Sequence, residues 1–162
     1  MRVKMMKSEV RELHQLLRDE GSRLVVAESC TGGMLGEIIT RIPGSSDVFS
    51  GGVISYSNHV KHSVLEVSEE TLEHHGAVSK ATAQEMVTGV CELLNVIAGI
   101  SITGIAGPGG GTDDKPVGLV FIGCKYGDEM KIVREEFQGQ RNDIRTYSVY
   151  SSIQELVKMM KS

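Results

Sequence analysis

The chain has 162 residues, a length that fits one domain with a core large enough to fold alone. Its 40% hydrophobic and 23% charged residues match a globular average, which argues against a disordered or membrane-embedded chain. Aromatic residues make up only 4%, Trp is absent and the formal charge is -4, so base stacking and phosphate-backbone contact both lack material and no nucleic-acid partner is expected.

Val10, Leu13, Leu16 and Leu17 mark one face of an opening helix that stops near Gly21. The basic residues before Glu9 are not followed by an apolar run of signal-peptide length, and no stretch approaches the roughly 18 apolar residues of a spanning helix. No membrane partner is expected, and the cytoplasm is the expected compartment. Cys30, Cys91 and Cys124 lie far apart with no C-x-x-C spacing, which suits reduced thiols and offers no zinc or redox motif.

Residues 23–27 (RLVVA) read as a short strand, which runs into Glu28-Ser29-Cys30-Thr31-Gly32-Gly33. A helical segment with Met34, Leu35, Ile38, Ile39 and Ile42 follows and is broken by Pro43-Gly44. Residues 51–57 (GGVISYS) read as a second strand, followed by a helical turn carrying Asn58, Lys61, Val64 and Leu65. Ser68 caps a helix with acidic residues in its first turn, and Gly76 ends it; another helix opens after Ser79 and runs toward Asn95.

The apolar run 96–103 (VIAGISIT) predicts a buried central strand feeding the glycine-rich loop 104–115. Segments 117–124 and 130–137 alternate around Tyr126-Gly127-Asp128, a hairpin, and a helix from about Asn142 to Met160 closes the chain. Long α/β connections followed by a late hairpin predict a single α/β domain, 1–162, with a mixed sheet and helices on both faces.

Four constellations have chemical potential. Ser29, where a strand turns into a helix, sits near free backbone N–H groups that can hold an oxyanion; a helix cap by Ser29 or Thr31 is the plainer alternative. Cys30 is a rival nucleophile at the same turn if the helix end lowers its pKa. Lys61, three residues after Asn58 at the end of the second strand, can deprotonate a serine once burial lowers its pKa, with Tyr56 relaying or orienting the proton; a solvated lysine is the alternative.

The loop 104–115 matches neither nucleotide-binding fingerprint, yet its glycines allow backbone N–H groups to surround a ligand. Asp113 and Asp114 offer carboxylates for Mg2+, or simply a solvated surface. Arg141 and Arg145 stand at the start of the last helix, where cations oppose the helix dipole unless Asp143 or a bound phosphate offsets them. His59, His62, His74 and His75 lack metal-ligand spacing and read as surface or satisfied side chains.

Taken together, AESCTGG (27–33), GSS (44–46), YSNHVK (56–61), HGAVS (75–79), TGIAGPGGG (103–111) and KPVG (115–118) resemble the CinA C-terminal family, which includes nicotinamide mononucleotide amidases. The resemblance runs from about Ala27 to Arg145 in consistent order. It implies a three-layer α/β/α sandwich with a mixed, about five-stranded sheet containing one antiparallel strand.

It further implies hydrolysis of nicotinamide mononucleotide to nicotinate mononucleotide and ammonia, with no cofactor and no metal. Ser29 would be the nucleophile and Lys61 its base, with Tyr56 and Asn58 positioning that base. Thr31, Gly32 and Gly33 would shape the oxyanion pocket. The loop bearing Gly104, Gly107, Gly109 and Gly110 would wrap the nucleotide, and Arg141 or Arg145 would hold its phosphate. A non-catalytic module binding a mononucleotide or Mg-ATP is the competing reading; a partner-binding role in DNA uptake or damage follows only from the family's historical name. Homo-oligomers are the broad expectation for such domains.

Overall fold

A computed structural model describes residues 2–162. Helix α1 (Arg2–Asp19) leads into strand β1 (Leu24–Glu28) and helix α2 (Met34–Thr40). A single 3-10 turn (Ser45–Asp47) precedes β2 (Phe49–Ile54), and three helices follow: α3 (Asn58–Leu65), α4 (Glu69–His74) and α5 (Lys80–Leu94). Strands β3 (Ala98–Gly104), β4 (Leu119–Tyr126) and β5 (Glu129–Glu136) then complete the sheet, and α6 (Arg141–Lys161) closes the chain.

The five strands are ordered β2-β1-β3-β4-β5. β1 is parallel to β2 and β3, whereas β4 is antiparallel to both β3 and β5, so β4 alone runs against the others. Core residues of α1, α2 and α6 pack with Leu24, Val26, Ile100 and Ile122 on one face of the sheet. Leu65 of α3 and Met86 and Val90 of α5 pack with Val25 and Ala27 on the other. The architecture is thus the expected three-layer α/β/α sandwich with one antiparallel strand. Every residue of β1 is buried, as befits a strand with parallel neighbours and helices on both faces.

Local signals explain most boundaries. Ser57, Ser68 and Ser79 each accept a hydrogen bond from the backbone N–H three residues on, capping α3, α4 and α5. Gln140 and Asp143 form a reciprocal capping box at α6, which places the helix start at Arg141.

Two expectations are corrected. β2 begins at Phe49 and ends at Ile54 rather than spanning 51–57. Both of its glycines lie inside the strand, and position 52 requires one, since a Cβ on Gly52 would stand 2.4 Å from the Val26 carbonyl oxygen of β1. The second correction concerns α2, which neither Ser29 nor Thr31 caps. Its N-cap is Gly33 in the left-handed region, and the orphan N–H groups of Leu35 and Gly36 donate instead to the buried Glu28 carboxylate at 2.8 and 3.1 Å. The carboxylate complements the positive helix end better than a hydroxyl does.

Candidate active site

Because the chain passes from β1 to β2 on one side and then crosses back to β3 on the other, the connections diverge and a crevice opens at the carboxyl ends of β1 and β3. Such switch points are where α/β sheets gather their ligands. Ser29 stands one residue past β1, and its N–H donates to the Ile102 carbonyl of β3 at 2.9 Å, extending the sheet register into the turn.

Lys61 comes from α3 and is buried to 1% exposure. Its Nζ donates to Ser29 Oγ at 2.9 Å, to the Ser55 carbonyl at 2.8 Å and to the Tyr56 carbonyl at 3.2 Å. These partners are neutral oxygens, so burial brings the amine down from 10.5 to about 8, with the Cys30 sulfur acting in the opposite direction. An amine with that pKa is partly neutral near physiological pH and able to take the Ser29 proton. Burial pushes the neighbouring Cys30 thiol up to about 11, so the rival nucleophile is held protonated.

The turn between β1 and α2 is held from two sides. Glu28 fixes the start of α2, while its own carbonyl accepts the Ser55 N–H at 2.7 Å; the Ser55 carbonyl in turn holds Lys61. Arg145 of α6 donates to the Cys30 carbonyl at 3.1 Å, the Thr31 carbonyl at 2.9 Å and the Asn142 side chain at 3.0 Å. With these carbonyls turned toward Arg145, the Cys30 and Thr31 N–H groups donate to no oxygen among the described residues. The Thr31 hydroxyl is buried and also lacks a partner among them.

A cleft of about 270 Å³ opens over the pair. Ser29, Lys61 and Tyr56 line it with Gly104, Gly107, Gly109, Gly110 and Arg141. Thr31, Gly32, Gly33, Asn58 and Arg145 do not line it. The N–H groups of Ala106, Gly107, Gly109 and Gly110 donate to no oxygen among the described residues. Gly107 has φ +79, and a Cβ there would stand 2.5 Å from Val117, so the loop shape requires glycine. Arg141 bonds the Gly107 carbonyl at 2.7 Å and the Tyr56 hydroxyl at 3.1 Å. The Tyr56 phenol therefore faces Arg141, and only its carbonyl reaches Lys61.

Several lining groups carried no role in the sequence reading. Thr103 is buried and donates to the Ala77 carbonyl at 2.7 Å, tying the cleft wall at 76–79 to β3. Ala77 and Val78 belong to a quoted motif, but nothing in its residue types announces a wall. A larger groove of about 570 Å³ lies between α1 and α2 and lacks any nucleophile–base pair. Among the described residues, no three His, Cys, Asp or Glu side chains converge as a metal site, and no helix is long and apolar enough to cross a membrane.

Fold and site together define an α/β domain of the three-layer kind, with a buried serine–lysine pair in a glycine-walled cleft. The CinA C-terminal domain model matches residues 6–160, and the chain belongs to that family.

A CinA-like protein of Thermotoga maritima is 48% identical over 147 residues, covering 91% of this chain and 36% of the relative. A putative competence-damage inducible protein of Halothermothrix orenii is 48% identical, covering 93% of this chain and 37% of its own length. The chain thus spans about a third of the length of the curated relatives that it matches, from 26% to 37%. The crystal structure of a competence damage-inducible protein A from Klebsiella pneumoniae superposes with a TM-score of 0.93 at 31% identity, covering 96% of this chain and 97% of that one. A competence/damage inducible protein of Agrobacterium tumefaciens gives a TM-score of 0.93 at 33% identity, covering 97% and 96%.

Proposed function

We propose that the chain is an amidase that hydrolyses the carboxamide of nicotinamide mononucleotide, with Ser29 as nucleophile and Lys61 as general base. The observation that carries this reading is the 2.9 Å contact between Ser29 Oγ and a buried lysine whose pKa is brought down to about 8.

Neutral Lys61 takes the Ser29 hydroxyl proton as Oγ attacks the carboxamide carbon. The oxyanion so formed is held by the unpartnered N–H group of Cys30, which lines the cleft beside Ser29. Lys61 then passes its proton to the departing nitrogen, and ammonia leaves an acyl ester on Ser29. Water attacks the ester, Lys61 takes the water proton and returns it to Ser29, and the carboxylate is released. Neither metal nor cofactor is needed in this sequence of steps.

Arg141 and the N–H groups of the glycine loop favour an anionic ligand in the same cleft, consistent with a phosphate on the substrate. Arg145, with Nε and both terminal nitrogens engaged, supports the turn instead. Three buried free thiols suit a reducing compartment, and we place the protein in the cytoplasm. The test is ammonia release from nicotinamide mononucleotide by the purified protein, abolished by Ser29→Ala. Activity that survives Ser29→Ala but is lost in Cys30→Ala or Thr31→Ala would overturn the assignment.

A further inference from the structure

The cleft over Ser29 does not end at the segment 76–79. A second cleft, about 350 Å³, lies beyond it along the same edge of the sheet, and Val78 lines both. The ridge between them is firmly held. The Gly76 carbonyl accepts the Ser79 and Thr82 hydroxyls at 3.0 and 2.7 Å, the Ala77 carbonyl accepts Thr103, and the His75 carbonyl accepts Lys115 Nζ.

Lys80, Lys115 and Arg134 line the second cleft, with the His74 and His75 side chains beside them. Asp114 is the one carboxylate of its lining. Glu136 pairs with Arg134 at 3.4 Å in an exposed contact of the kind that contributes little. On a chain of formal charge -4, three cations around one concavity are a local reversal of sign. They stand on three different segments, α5, the glycine-loop exit and β5, so the cluster is created by the fold and not by a basic run of sequence.

We propose that this second cleft is an anion subsite for a phosphate or pyrophosphate group carried by a nucleotide. The lysines and the guanidinium stand on different segments and donate to phosphate oxygens from several sides, as charge-assisted hydrogen bonds. The anion comes from one of two sources. It is either a second phosphate of an elongated ligand whose amide lies over Ser29, or a separate nucleotide bound beside the substrate. The subsite itself does not depend on the amidase reading; only the first source does.

The test uses inorganic pyrophosphate as the probe, titrated into the intact protein by calorimetry at low and moderate salt. Saturable binding is expected, weakening with salt. It should fall by roughly tenfold or more in the Lys80→Ala/Arg134→Ala double variant, whose side chains are exposed and leave the fold intact by circular dichroism. Arg141→Ala should leave this binding in place. No saturable binding to the parent protein overturns the proposal, as does equal binding by the double variant. Binding lost in Arg141→Ala but kept in the double variant overturns it too, because the anion then sits in the first cleft.

Kinetics separate the sources. A pyridine dinucleotide amide whose KM rises in the double variant, with mononucleotide turnover unchanged, identifies a phosphate of the substrate. Pyrophosphate that alters mononucleotide turnover in the parent protein alone identifies a separate ligand. Failure of amide hydrolysis with intact pyrophosphate binding would sink the amidase reading and leave the subsite standing.

Discussion

Two glycine-bearing turns face each other across the cleft, and they are built on opposite plans. The turn from Ser29 to Gly33 is clamped: Glu28 holds the helix start below it, and Arg145 holds the carbonyls of Cys30 and Thr31. The loop from Gly104 to Gly110 is tied at its start, where Ile105 exchanges bonds with Leu119 and Gly118, and at its middle only through the Gly107 carbonyl, which accepts from Arg141. On the proposed mechanism the clamped turn carries the atom that forms a bond, where an error of an ångström costs orders of magnitude in rate. The looser loop presents backbone donors, which suit a ligand's shape and charge.

The contrast can be broken most directly at Lys61. In the clamped region, Lys61→Met should lower kcat for amide hydrolysis by about 10²–10⁴-fold, measured as ammonia release. A loss confined to KM would mean that the lysine only binds.

Next comes the arginine pair. Arg145→Ala should reduce kcat by roughly tenfold to a hundredfold and lower the Tm, since two buried-side carbonyls lose a charged donor. Arg141→Ala should instead raise KM with kcat largely kept. Exchanged behaviour of the two would erase the distinction between clamp and reader.

A pH profile sharpens the same point. Lys61 must be neutral to act, and its pKa is about 8, so kcat/KM should rise with pH and level off above 8, gaining about tenfold between pH 7 and 9. A profile flat across that range argues against a lysine base. Smallest of all, Cys30→Ala should change kcat by no more than about threefold, because a protonated, buried thiol contributes packing alone. A larger loss would return Cys30 to the chemistry.

Much of the fold was legible because its signals are local. The serine caps at 57, 68 and 79, the apolar run of β3 and the Gly127 turn each announce themselves within a few residues. Ser29 and Lys61 were legible as candidates by position, and the motif resemblance suggested the pair, but their 2.9 Å contact joins residues 32 apart and only the fold supplies it.

Glu28 was passed over as a cap because capping rules look at the residue beside the helix, whereas its carboxylate reaches forward seven and eight residues. Arg141 and Arg145 look equivalent in sequence. One helical turn separates them, and the packing of α6 sends the first to the glycine loop and the second to the Ser29 turn. Gly51 and Gly52 read as the start of a strand, yet lie inside it, and at Gly52 there is no room for a side chain against Val26.

The clamp of Arg145 on Cys30 spans 115 residues, from α6 back to the turn after the first strand. Arg145 leaves the ribosome well after Ser29 and Lys61 have emerged. Until α6 docks, the Cys30 carbonyl has no donor, the Thr31 carbonyl has only the Met34 N–H, and the turn beside Ser29 is held from the Glu28 side alone. On the proposed mechanism, activity is therefore tied to the docking of α6: a product cut short before Arg145 holds the serine and the lysine but not the clamp that shapes the turn beside the serine.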